Sequence, residues 1–373
     1  MVMINPAKNP LFMRKLVKAF IILVILASLS VLVFYLVSPG KDKITEVPVP
    51  KRSGTAIIMT GAAARIPQEA ALLQELYNRK LLKNVVFISG VSSGALNSVA
   101  LNGILSGKIT WSEYKKILFG ISNNNIYTQE GKKLPLNTEP ERELLTKVIE
   151  KRLGYHAIGD LPYMTAISIT NLKAFDLQKR IYRMCSRKIN EETDTTLSIV
   201  DLLMASSAIP IAFPEVRIRD VYTIPDVRYV DGGVGDDHVP YHALLEFEKK
   251  RGIGVARVFI ISRKSDSIPA VSEELKVLGI NDKKLFDDLG VSIDDIMKKG
   301  IIKRLKAFKI EAPELVPLTY VWIPDFSRDF LMFNFDNLEE QFKITSEWAR
   351  HHNPVPLDEY LKPYYNERKK EFE

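Results

Sequence analysis

"VVFISGVSSGALNSV", residues 85–99, passes from a β-branched apolar block directly into a pair of serines set between glycines. The block 85–89 predicts a buried strand, and small and apolar residues over 94–105 predict a helix. At the junction Gly90, Ser92 and Gly94 satisfy a G-x-S-x-G spacing, whereas Ser89 and Ser93 do not. A serine in a sharp strand-to-helix turn projects its hydroxyl from the sheet edge. The turn is tight enough that positions two residues either side have no room for side chains. The helix start just beyond offers N–H groups and a positive dipole end to a developing oxyanion. The same residues also suit an ordinary helix cap in a βα turn.

Working outward, "TAIIM" (55–59) predicts a first short strand, and "IIMTGAAARIPQEA" (57–70) runs from it through Gly61, Ala62, Ala63, Ala64 and Arg65 to Pro67, a residue suited to opening a helix. Small residues let the backbone approach a substrate oxygen closely, and their amides can bind an oxyanion; a plain βα loop has the same composition. Downstream, "RYVDGGVGDD" (228–237) delivers Asp231 from a strand end into Gly232 and Gly233, a pattern that by itself is more often a simple turn. A nucleophilic serine needs a base. Among the five histidines, His238 and His242 flank Pro240 and read as surface or loop residues. An aspartate serves as base only if desolvation makes it more basic and geometry places it on the hydroxyl.

Strand and helix signals alternate beyond the elbow. Strands are predicted over 163–172, 180–185, 226–230, 256–262 and 318–323. Helices are predicted over 68–82, 137–153, 198–208, 337–350 and 357–371, with two more within 283–309. This alternation argues for a parallel α/β sheet.

The three pieces in this order resemble the patatin-like phospholipases, whose members carry a glycine-rich oxyanion loop, a G-x-S-x-G elbow and a downstream Asp-Gly-Gly or Asp-Gly-Ala. "MASSAIPIAFPEV" (204–216) is similar to the segment preceding that family's aspartate. The resemblance covers roughly 55–265 and implies a three-layer α/β fold with a central, mostly parallel sheet. It further implies a Ser-Asp dyad with Ser92 as nucleophile and Asp231 as base, and an oxyanion hole from Gly61, Ala62 and Ala63 aided by Ser93. Arg65 would support the loop, and Gly90, Gly94, Gly232 and Gly233 would be the motif glycines. The implied activity is hydrolysis of a phospholipid or other acyl lipid through an acyl-serine intermediate, with no cofactor and no metal. One departure concerns the loop, Gly-Gly-Gly-x-Arg-Gly in the family and "GAAARI" (61–66) here. Any of these positions that demands φ > 0 costs a non-glycine residue about 1–2 kcal/mol, and Ile66 would suffer most. Two other readings remain: an α/β-hydrolase esterase with His351 or His352 completing a triad, and a catalytically silent lipid-binding protein on the same fold.

The rest of the chain sets the context. Of 373 residues 46% are hydrophobic and 26% charged, which is a globular composition. Of the net charge of +7, residues 1–52 carry +6, so the globular part lacks the spread of basic charge that grips nucleic acid. Between Lys18 and Lys41 lie 22 residues with no acid or base. That run is long enough for a single-pass anchor and too long for a signal-peptide core. Four basic residues precede it and four follow, so charge does not orient it. The expected organisation is a basic tail (1–18), a transmembrane helix (19–40), a linker (41–54), a catalytic domain (55–265) and a helical extension packed on it (266–373). The single cysteine, Cys185, excludes an intrachain disulfide. "KKGIIKRLKAFKI" (298–310) is amphipathic; it fits packing on the core better than lying on an anionic bilayer.

Overall fold

The computed structural model describes residues 51–61, 63–128, 134–172, 180–210, 212–218, 228–264 and 293–365. The run 19–40 expected to span a membrane lies outside them, as do the tail and most of the linker. Among the described residues no helix is long and apolar enough to cross a membrane.

Nine strands form one sheet among the described residues: β1 Thr55–Met59, β2 Val85–Val91, β3 Thr165–Leu172, β4 Arg180–Cys185, β5 Val216–Arg217, β6 Arg228–Asp231, β7 Arg257–Ile261, β8 Thr319–Trp322 and β9 Val355–Pro356. Their order is β5-β6-β3-β2-β1-β7-β8-β9, with β4 also on β3. The central five, β3-β2-β1-β7-β8, run parallel. The flanking pairs β3–β4, β3–β6, β5–β6 and β8–β9 are antiparallel.

Alternation of side chains along a strand explains why the central strands are continuously apolar. In β1, Ile57 and Met59 enter one core while Ala56 and Ile58 enter the other; in β7, Phe259 and Ile261 oppose Val258 and Ile260 in the same way. The first face is covered by α1 Ile66–Asn78, α2 Ser93–Leu105, α3 Trp111–Phe119, α4 Glu139–Leu145, α5 Ile199–Ser207 and α8 Leu338–His351. The second is covered by α6 His242–Arg251, α7 Ile293–Glu311 and α9 Leu357–Leu361. The result is a three-layer α/β/α fold with a mostly parallel centre.

The stretch expected as a helical extension also supplies strands β8 and β9 to this sheet, and Lys51–Glu373 forms one compact unit. In α7, Ile301, Leu305 and Phe308 are buried in the second core. Among its described cations, Lys303 meets Asp236, Arg304 meets His242 and Asp237, Lys306 donates to the Tyr364 carbonyl and Lys309 pairs with Asp358. One face of this amphipathic helix thus packs on the core.

Register positions the site. Val91 of β2 pairs with Ser168 of β3, and Ile169, the next residue, pairs with Asp231 of β6. The residue after Val91 is Ser92, so Ser92, Ile169 and Asp231 lie at one level across three strands. Two strand spacings separate the outer pair by about 10 Å between backbones, a gap two side chains can close over the sheet edge.

Candidate active site

Ser92 occupies the turn between β2 and α2 with φ 56° and ψ −133°. A non-glycine residue there costs about 1–3 kcal/mol and persists only where surroundings over-determine it. Those surroundings are visible. The Ser92 N–H donates to Ser206 Oγ at 2.9 Å, and that hydroxyl donates to the Ser168 carbonyl at 2.8 Å. Backbone approaches so closely that side chains have no space: a Cβ on Gly90 would lie 2.3 Å from the Gly94 carbonyl oxygen, and one on Gly94 would lie 2.7 Å from that of Met59.

Asp231 ends β6, its N–H bonded to the Ala208 carbonyl at 3.0 Å. One carboxylate oxygen, Oδ1, accepts the Gly233 N–H at 2.8 Å. Both Ser92 and Asp231 are buried, at 5% and 7% exposure. Burial pushes the Asp231 carboxyl up to about 6, against the opposing pull of hydrogen bonds from the Ser92 side chain and the Gly233 amide. Burial thus raises the basicity of Asp231, and the Ser92 side chain is among the groups that act on its carboxyl. Gly232 lets this turn lie on β3, where a Cβ would come within 2.5 Å of Ser168 Oγ.

The loop after β1 differs from expectation in its details. Gly61 has φ 75° and packs under the elbow, where a Cβ would meet the Val91 carbonyl at 2.3 Å. Its N–H, expected in the oxyanion hole, is instead committed to Glu69 Oε1 at 2.7 Å. Ala62 lies outside the described residues. Ala63 takes the strain foreseen for this loop, at φ 45°, while Ile66 begins α1 outside the positive-φ region. The Ala64 N–H donates to the Met332 carbonyl at 2.8 Å. Arg65 is buried and its Nε donates to the Phe330 carbonyl at 2.9 Å, so it ties the loop to the chain's C-terminal third.

Glu69 was not among the residues singled out by sequence. It is fully buried in the first turns of α1 and accepts from Thr60 Oγ1 at 3.3 Å, the Gly61 N–H, and Asn97 Nδ2 at 3.3 Å. Asn97 on α2 accepts in turn from Tyr114 at 2.5 Å. Burial pushes Glu69 up to about 7 despite these bonds and the Arg263 charge. The available signal was position: an acid one turn into an otherwise apolar helix face, beside a loop with amides to satisfy.

A cavity of about 100 Å³ opens on Ser92, Ser93 and Ala63. Its walls are apolar residues of α2, α3 and α4, among them Leu96, Val99, Leu118 and Leu145, with Phe213 and Phe335. Only Glu141 and Ser207 interrupt them with polar groups beyond the elbow serines and Tyr114. His351 and His352 stand exposed at the end of α8, bonded to Glu347 and to the Trp348 carbonyl, and neither lines this cavity. His238 lies in the loop before α6 with its ring against Gly300 of α7, and burial lowers it to about 4. His242 pairs with Glu311.

Residues 56–245 match the family described as Patatin-like phospholipase. No curated protein matches the sequence. Solved structures similar to this chain include VipD from Legionella pneumophila, at 11% identity and TM-score 0.34, covering 81% of this chain and 67% of that one. Human GIVD cytosolic phospholipase A2 is 11% identical with TM-score 0.37, over 61% of this chain and 48% of the other. The type III effector protein ExoU is 12% identical with TM-score 0.38, over 84% and 53%. The chain thus spans about half the length of the last two.

Proposed function

The chain belongs to the patatin-like phospholipase family, and from that premise we propose that it is a membrane-anchored lipid acyl hydrolase working through a Ser92–Asp231 dyad. The observation that supports the reading is the burial of Ser92 and Asp231 at one level of the sheet edge, with the Asp231 carboxyl raised to about 6.

In this mechanism Asp231 accepts the hydroxyl proton as Ser92 Oγ attacks the ester carbonyl carbon. The tetrahedral oxyanion is held by backbone amides at the elbow. With the Gly61 amide bound to Glu69, the donors assigned are those of Ala63 and Ser93, which border the cavity beside Ser92. Collapse breaks the ester C–O bond, and Asp231 returns its proton to the departing alcohol. Water, deprotonated by the same carboxylate, then releases the fatty acid and restores the serine. The apolar cavity receives the acyl chain. The 22-residue uncharged run supports an anchor that keeps the site beside its substrate, raising effective concentration without adding affinity.

The test is fatty-acid release by purified full-length protein from defined phospholipids and lysophospholipids, with and without a chelator. Release that persists with chelator and is lost in Ser92→Ala and Asp231→Asn is expected. Folded protein that releases nothing would favour the silent lipid-binding reading, to which the committed Gly61 amide lends some support.

A further inference from the structure

The cavity wall holds one group the hydrolytic mechanism does not use. Glu141, in the first turn of α4, is 4% exposed and lines the same apolar cavity as Ser92. Among the described residues, one hydrogen bond reaches its carboxyl, from Ser207 Oγ to Oε1 at 2.9 Å. Ser207 also lines the cavity, and it adjoins Ser206, whose hydroxyl accepts the Ser92 N–H. A carboxyl group has acceptor sites on both oxygens, so a single hydroxyl leaves most of its bonding capacity unused. The cation next to it in sequence, Arg142, is directed to Asp201 at 2.5 Å.

A purely structural tie between α4 and α5 would be made more cheaply by apolar packing, because a buried polar group with too few partners is costly. The cost is recovered if the occupant of the cavity brings the missing partner. We propose that Glu141, with Ser207, reads a hydroxyl on the bound acyl chain, making this a site for hydroxylated acyl groups over plain hydrocarbon ones. Burial pushes Glu141 up to about 7, so near neutrality it is present both as acceptor and as donor, which suits a hydroxyl in either role. The inference rests on the proposed function only in taking the occupant to be an acyl chain.

The test separates binding from turnover. Full-length Ser92→Ala protein is titrated with methyl dodecanoate and with methyl dodecanoates hydroxylated at different carbons, by displacement of a fluorescent fatty acid. At one hydroxyl position, roughly tenfold tighter binding than for the plain ester is expected, the weight of one buried hydrogen bond. Glu141→Leu should erase that difference while binding the plain ester at least as well, and Glu141→Gln, which keeps an acceptor, should retain much of it. Equal binding across the series, or a preference that survives Glu141→Leu, would overturn the proposal. Absence of lipid hydrolysis by the unmutated protein would instead strike the proposed function and leave this binding comparison intact.

Discussion

The N–H of Gly61 and the carboxylate of Glu69 meet at 2.7 Å beneath the serine elbow, joining the loop after β1 to the first turns of α1. Through Asn97 the same carboxyl reaches α2, the helix that Ser92 precedes. One buried acid therefore sets the loop and the elbow against each other. Glu69→Ala leaves the Gly61 N–H without its acceptor and takes one of their partners from the Thr60 hydroxyl, which keeps Ser262, and the Asn97 amide, which keeps the Ile66 carbonyl, at a cost of about 1–3 kcal/mol. Urea unfolding should show that loss, and acyl release should fall at least tenfold. Glu69→Gln, which keeps an oxygen for Gly61, should lose less of both.

Burial raises four carboxyls among the described residues: Asp231 to about 6, Glu69 and Glu141 each to about 7, and Glu248 above its ordinary value. Between their unfolded values, 3.8 for Asp and 4.5 for Glu, and these folded values, the folded chain holds more protons than the unfolded one. Their contribution to stability is full at the acid end and is lost as pH rises toward 7. Urea midpoints should accordingly fall between pH 4.5 and pH 7.5 in proportion to these groups. Glu69→Gln should flatten that slope.

Activity should have the opposite dependence. The dyad requires ionised Asp231, so kcat/KM should rise with pH on a limb centred near 6 and level off above it. A pH–rate profile on a soluble short-chain ester checks this, and a flat profile from pH 5 to 8 would count against Asp231 as base.

At Ala63 the loop carries a left-handed residue, φ 45°, that a glycine would adopt without strain. Ala63→Gly should stabilise by up to about 1 kcal/mol, the relief of about 1–2 kcal/mol being partly offset by the greater freedom of glycine in the unfolded chain. Thermal unfolding reads the difference. The reverse holds at the elbow, where Gly90→Ala would drive a methyl group into the Gly94 carbonyl and should yield little folded protein.

Much of the fold was legible because the central strands alternate between two cores and so read as unbroken apolar runs. "TAIIM" and "RIYRMC" fall on β1 and β4 to the residue. The misses have physical causes. Strands β5 and β9 are two residues long, too short for any period. Helix α6 buries only Ala243 and Leu244, so its charged sequence carries almost no apolar stripe. Of the site, the elbow and the aspartate were legible because tight turns demand glycine. The Gly61–Glu69 bond was not, since nothing in a helical glutamate announces which backbone amide it will meet. Likewise Glu141 reads as an ordinary first-turn acid, favourable to the helix dipole, until α3, α4 and α5 close a cavity around it.

The dyad is tested most directly by intact-mass analysis of the folded full-length protein after treatment with a fluorophosphonate. A single adduct mapping to Ser92, forming faster above pH 6 and lost in both Ser92→Ala and Asp231→Asn, is predicted. A folded protein that forms no adduct, or one whose labelling is indifferent to Asp231→Asn, would contradict a serine activated by that carboxylate.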